Sequence, residues 1–210
     1  MHAASERSND CIDGFLFISN RPILDFLNTK PVLEGAPTEL LTDGRALERW
    51  LIASGMTSSH KDEGTLHGWR TSSELHFFLR ELIEFREKLR KAVLQIESGA
   101  QPSEAFIAEV NRLLRQYPRQ TSLLKRDGKL VRETYYELRN PADLWASIVH
   151  ETADLLADTE SSRIRKCETC VIHFFDTSKK GSRRWCSMNI CGNKLKVAAY
   201  QRRKRATGTS

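Results

Sequence analysis

The stretch CETCVIHFFDTSKKGSRRWCSMNICGNKLKVAAYQRRK, residues 167–204, divides the chain into two parts with different chemistry. It carries four of the five cysteines, Cys167, Cys170, Cys186 and Cys191, as C-x2-C-x15-C-x4-C. Zinc takes four soft ligands at the corners of a tetrahedron, and thiolates supply them at about 2.3 Å. A two-residue spacer lets the chain curl so that Cys167 and Cys170 reach one ion. The fifteen-residue gap has room for a short hairpin that returns the chain with Cys186 and Cys191. The run after Cys191 is rich in helix formers and has no proline, so the last ligand is expected at a helix start. A knuckle, a hairpin and a ligand-bearing helix make a treble-clef-like finger with one Zn2+ per chain. Disulfides conflict with a reducing setting, and the strand-then-helix context of a C-x-x-C redox pair is missing. An iron–sulfur cluster accepts the same four thiolates. His173 lies three residues after Cys170, but four thiolates already complete a zinc shell. Phe174 and Phe175 read as the small core beneath the knuckle, and Cys11 stands alone.

Charge follows the same boundary. Residues 161–210 hold thirteen Lys/Arg against Glu168 and Asp176, a net charge of +11, whereas residues 1–160 carry −5. A mildly acidic body joined to a strongly basic tail implies an anionic partner for the tail. The 210 residues are 40% apolar and 29% charged, with a mean hydropathy of −0.48. Apolar runs such as Phe15–Ile18 are far shorter than the ~20 residues that span a bilayer, so no membrane association is expected. Glu6, Asp10 and Asp13 stand where the apolar part of an export signal belongs, so a cytoplasmic location is expected.

Upstream of the boundary the pattern is mainly helical. Residues 1–13 are polar and expected to fray, and Gly14–Ser19 reads as a short strand. Pro22–Thr29 has helical spacing, and a helix is expected from about Asp43 to Gly55. The clearest helix runs over 72–97, where Leu75, Phe78, Leu82, Phe85, Leu89, Val93 and Ile96 mark one face. Ser103 caps a further helix that ends before Pro118. Residues 123–136 predict a hairpin turning at Asp127-Gly128, and Asn140-Pro141 opens a last amphipathic helix. The fold class is therefore α+β, mainly helical: a helical body with a small antiparallel hairpin over residues 14–158, then the zinc finger with its basic C-terminal helix over 163–206. The body has its own apolar helix faces and is expected to fold without the finger.

The finger residues resemble the CGNR zinc-finger family, whose marks are a C-x2-C pair, a Phe-Asp-x-Ser segment, an Arg-x-Trp-Cys segment and a Cys-Gly-Asn-Arg tetrad before a basic helix. Here these are Phe175-Asp176-Thr177-Ser178, Arg183-Arg184-Trp185-Cys186 and Cys191-Gly192-Asn193-Lys194. Leu24-Asp25-Phe26-Leu27-Asn28-Thr29 is similar to the signature of the ABATE domain that precedes such fingers. The resemblance implies a stress-induced transcription regulator. Lys194 stands where the family has Arg, which keeps the charge but loses the planar fork that grips phosphate at two points.

A zinc centre with four thiolates has a formal charge of −2, which neighbouring cations partly offset. The surplus points to phosphate. The candidate nucleic-acid contacts are Arg183, Arg184, Lys194, Lys196, Gln201, Arg202, Arg203, Lys204 and Arg205. Lys194, Gln201, Arg202 and Arg205 fall near one side of a helix able to enter a major groove. Double-stranded DNA is the expected partner. An RNA- or ribosome-associated module and a protein-interaction finger share this charge signature. Asp25 and Asn28, one helical turn apart, are candidates to line a pocket for a small-molecule effector; such a pair also serves to brace backbone. A homodimer is the usual state of DNA readers. With no Gly-rich phosphate loop, Ser-His-Asp set or His-Glu metal helix, no enzyme is expected.

Overall fold

The computed structural model describes residues 10–57, 60–157 and 160–192. A hairpin of β1 (Cys11–Ile12) and β2 (Phe15–Leu16) leads into the six-residue helix α1 (Pro22–Leu27). A second small hairpin, β3 (Val32–Leu33) with β4 (Ala36–Pro37), precedes α2 (Gly44–Ser54), α3 (His60–Trp69) and the 25-residue α4 (Ser73–Glu97). Then come α5 (Glu104–Gln116), the ribbon of β5 (Gln120–Arg126) and β6 (Lys129–Tyr135), and α6 (Trp145–Leu156). The finger contributes β7 (Ile164–Lys166) and β8 (His173–Phe175). Among the described residues the four strand pairs are all antiparallel and two-stranded.

Side-chain caps start the helices that the sequence marks. Asp43 accepts the Ala46 N–H at 2.8 Å, Ser72 that of Leu75 at 3.1 Å, and Ser103 that of Phe106 at 3.3 Å. Each bond satisfies one of the amide donors that a helix start leaves without a partner. One face of α4, from Leu75 through Phe78, Leu82, Phe85 and Leu89 to Val93, is buried. Trp145 of α6 meets Phe78 and Phe85 edge-on, with ring centroids 5.3 and 5.1 Å apart. At the centre lies α1, whose Ile23, Leu24, Phe26 and Leu27 are at most 1% exposed.

Three elements depart from the sequence reading. Residues 11 and 12, expected to fray, pair with Phe15 and Leu16. Asp13 and Gly14 both have positive φ (51° and 84°), the conformation that a two-residue hairpin turn demands. The strand expected over 14–19 is thereby cut to two residues. The β3–β4 hairpin and α3 went unpredicted because their apolar signal is weak. Val32 and Leu33 are exposed, and Leu66 is the buried anchor of α3. The β5–β6 ribbon matches expectation, turning at Asp127-Gly128 with Leu124 opposite Val131. It stands clear of the body, with Leu123 65% and Leu130 71% exposed.

A charged pair braces the body. Arg86, in the middle of α4, is fully buried. Its guanidinium donates to Thr29 Oγ1 at 2.7 Å and makes a two-point pair with the Glu39 carboxylate. One turn on, Arg90 donates to the Leu27 carbonyl at the end of α1 at 2.8 Å. Burial alone raises the Glu39 pKa, but the bond and charge of Arg86 win and hold it below the ordinary 4.5. A carboxyl lowered in the fold contributes stability that is present above pH about 4.5 and is lost as pH falls through the folded value. Arg86→Met strands that carboxylate and should cost about 3 kcal/mol at neutral pH. The gap in Tm between wild type and variant should close as the pH of a thermal denaturation series is taken down from 6 to 3.

Gly44 opens α2 where the turn between α3 and α4 crosses it. A Cβ there would lie 2.2 Å from the Arg70 carbonyl oxygen and 3.0 Å from Leu75 Cδ2. Because the nearest atom is backbone, it cannot swing aside. Gly44→Ala should therefore destabilise by about 1–3 kcal/mol, read as a Tm lowered by roughly 3–10 °C.

Candidate metal centre and its seat on the body

The four cysteines converge. Their sulfurs lie within 4.8 Å of one another, with Cys170–Cys186 and Cys186–Cys191 at 3.7 Å and Cys191–Cys170 at 3.6 Å. A tetrahedron with metal–sulfur bonds of about 2.3 Å has edges of about 3.8 Å, so these spacings suit zinc. A disulfide needs about 2.05 Å, and all four thiols are free. Cys167, Cys186 and Cys191 are buried and Cys170 is half-buried. His173, the alternative ligand, points elsewhere: its Nε2 lies 3.3 Å from Glu97 Oε2 at the end of α4.

β7 and β8 bracket the knuckle and bring its ends together, with Cys167 N–H donating to the Ile172 carbonyl at 2.9 Å. The hairpin thus encloses the first cysteine pair, rather than lying between the two pairs as the gap length suggested. Cys191 sits in a helical turn, Met188–Gly192, where its N–H donates to Ser187 O at 3.0 Å. The return path is built by Asp176, fully buried, whose carboxylate accepts the Ser178 N–H at 2.9 Å and the Arg183 N–H at 2.7 Å. This role of the Phe-Asp-Thr-Ser segment was not read from the sequence, although Asp two residues before Ser is the pattern of a side-chain-closed turn.

The thiols are unequal. A hydrogen bond from Cys186 is the main cause holding the Cys170 thiol down to about 5, although burial opposes it. Its thiolate in turn pushes Cys186 far up, and burial pushes Cys191 up to about 12, helped by the same neighbour. Four such thiols cannot all ionise side by side; a divalent cation changes that, displacing protons as it binds.

Among the described residues the expected nucleic-acid arginines, Arg183 and Arg184, are occupied. Arg183 folds inward: Nε donates to Trp185 O at 2.7 Å, another nitrogen bonds Cys186 O, and the guanidinium sits 4.8 Å from the Phe174 ring centre. It braces the third ligand rather than reaching out. Arg184 is exposed but pairs at two points with Glu168 (2.6 and 2.8 Å). Arg163 and Arg165 bond carbonyls of the 176–181 turn. Lys166, Lys179 and Lys180, which were not singled out, are exposed. Lys194, Lys196, Gln201, Arg202, Arg203, Lys204 and Arg205, with the expected basic helix, lie outside the described residues.

Asp25 and Asn28 are buried and bonded to backbone, which favours bracing over lining a pocket. Asp25 Oδ1 accepts the N–H groups of Ile18 and Ser19 at 3.1 and 3.0 Å. The Asn28 amide donates to His173 O at 2.8 Å and accepts His173 N–H at 3.0 Å. The finger is seated on the body along this line. Phe175 N–H donates to Ser19 O at 2.7 Å, Asn20 Nδ2 to Phe175 O at 3.0 Å, and Ser187 Oγ to Asp10 Oδ2 at 2.6 Å. Ile164 and Phe175 belong to the apolar core of the helical body, while Ile18 and Leu16 pack with the cysteines, Ile172 and Phe174.

A helical body carrying a four-thiolate zinc finger is the class that this arrangement defines. Comparison with known families agrees. The ABATE family model, described as "Putative stress-induced transcription regulator", matches residues 20–159, and the CGNR zinc finger matches residues 163–204. The first match alone covers more than half of the chain, and the chain belongs to the ABATE family, with a CGNR finger following. A comparison with curated proteins finds no match. Among the described residues no helix is long and apolar enough to cross a membrane.

Purified protein should contain one zinc per chain by metal analysis, with the metal lost from the double variant Cys186→Ser, Cys191→Ser. Loading the metal-free protein in weak buffer should release protons, so zinc affinity should fall as the pH is lowered. An iron content, or zinc retained by the double variant, contradicts this assignment.

Proposed function

We propose that this protein is a DNA-binding transcription regulator, without enzymatic activity, in which the zinc finger contacts duplex DNA and the helical body regulates it. The observation that carries this reading is the charge of the finger segment. Residues 161–210 bear a net +11, and the described arginines among them are taken up by carbonyls and by Glu168. Lys166, Lys179 and Lys180 are exposed, the sequence of residues 194–205 adds further cations, and an anionic partner would answer this surplus. A chain of phosphates meets such a surplus, and the ammonium groups act on it as point charges that set affinity more than sequence choice. The family description supports a stress-linked regulatory role, and a cytoplasmic setting keeps the thiols reduced for zinc.

Binding to a duplex should be measured by fluorescence anisotropy over a salt series. If about six cations reach phosphates, log affinity against log salt has a slope near −5, from about −0.9 per phosphate. Lys179→Ala with Lys180→Ala should make the slope shallower by roughly 2, and Arg202→Ala, Arg203→Ala and Arg205→Ala together should flatten it further. Selection from a random DNA library should return a preferred site. No binding at low salt, or a better grip on an RNA competitor than on any duplex, overturns the reading.

A further inference from the structure

We infer that Asp25 and Asn28 form an intramolecular receptor for the second strand of the finger, so that zinc binding and packing of the helical body are one linked equilibrium. The backbone of residues 172–176 bonds alternately in two directions. Ile172 O and Asp176 N–H bond towards residues 163–167, at 2.9 and 2.8 Å. His173 and Phe175 bond the other way, to Asn28, Ser19 and Asn20 of the body. β8 is therefore the middle of three layers of backbone, with the zinc knuckle on one side and the entry to α1 on the other. The Asn28 amide offers an acceptor and a donor to a single residue, as a neighbouring strand would.

Each side of this receptor is held by its own domain. Asp25 fixes Ile18 and Ser19, and thereby aims the Ser19 carbonyl at Phe175. α1 is held by its buried apolar residues and by Arg90 at its last carbonyl. On the finger side, three residues of β8 are too short to persist without the knuckle, which closes only when its thiols share an ion. The apolar groups are exchanged in the same way, Ile164 and Phe175 into the body core and Leu16 and Ile18 beneath the cysteines. Loss of the ion leaves the Asn28 amide and Ser19 O buried without partners, a state that is costly enough to disturb α1. The linkage is reciprocal: whatever moves α1 changes zinc affinity by the same factor.

The test uses the full zinc-loaded chain. Thermal unfolding is followed by circular dichroism with and without a zinc chelator, and amide exchange is followed over residues 15–28. Chelation should lower the main transition by about 10 °C, the size expected when a ligand held well above its Kd is withdrawn from a chain of this length. It should also raise exchange at Ile18 and Ser19. Asn28→Asp keeps the acceptor for His173 N–H but sets a carboxylate oxygen against the His173 carbonyl. Competition with a chromogenic chelator should show zinc held about 10–100-fold less tightly by this variant. The inference is overturned if chelation strips the zinc yet leaves exchange over 15–28 and the main transition unchanged. A folded Asn28→Asp protein with wild-type zinc affinity overturns it equally. Should that variant not fold, the wild-type measurements decide alone, and none of these readouts depends on DNA.

Discussion

The three-residue strand His173–Phe175 has no room for an unsatisfied edge. It lies between two parts of the molecule that each need it, and its N–H and C=O groups are divided between them. A buried amide or carbonyl left without a partner costs about as much as a net hydrogen bond contributes, or more. That asymmetry places α1 where it is. A six-residue helix is too short to be stable by propensity. It holds its shape because its apolar side chains fill the body core while Asp25 and Asn28 answer the backbone on the opposite side. The long α4 then serves as the beam, with Arg90 tying it to the last residue of α1, Arg86 to Thr29 just beyond, and Glu97 reaching the ring of His173.

Much of this was legible from residue order alone. The ligand spacing named the metal and all four of its ligands, because thiolate chemistry leaves few alternatives to that pattern. Strong periodicity and side-chain caps gave α2, α4 and α5 to within a residue or two, whereas α6 begins at Trp145, after a 3-10 turn over Pro141–Leu144, rather than at Pro141. Legibility failed where structure depends on distant partners. β1, β3 and β4 are two-residue strands, and no local pattern announces so short a pair. Among its described side chains α3 has one buried anchor, Leu66. Asp25 and Asn28 were recognisable as a pair, but their targets are 6 and 145 residues away in sequence, and nothing local tells an amide aimed at backbone from one aimed at a ligand.

Charge shows a similar limit. Counting cations gave the net charge of the segment, but the fold assigns them by type. The described arginines of the finger lie against carbonyl groups and a carboxylate, where a planar fork with several donors can serve two acceptors at once. The described lysines, Lys166, Lys179 and Lys180, stand out in water, where a hydrated ammonium loses least. Arg183 is the clearest case. Its neighbours Trp185 and Cys186 supply the carbonyls, and Phe174 supplies the ring face beneath. It stiffens the loop that presents the third cysteine.

The family boundary falls between residues 159 and 163, and on paper it is the natural place to cut and rejoin such chains. The packing contradicts this. A finger transplanted there would bring Ile164, Phe175 and the outward-facing His173 backbone to a host without the matching Asn28, Ser19 and Asn20. It would also leave behind Leu16 and Ile18, which precede the ABATE segment yet lie under the cysteines. Body and finger are thus a matched pair in their packing, with partners for residues 164–187 supplied by residues 10–28.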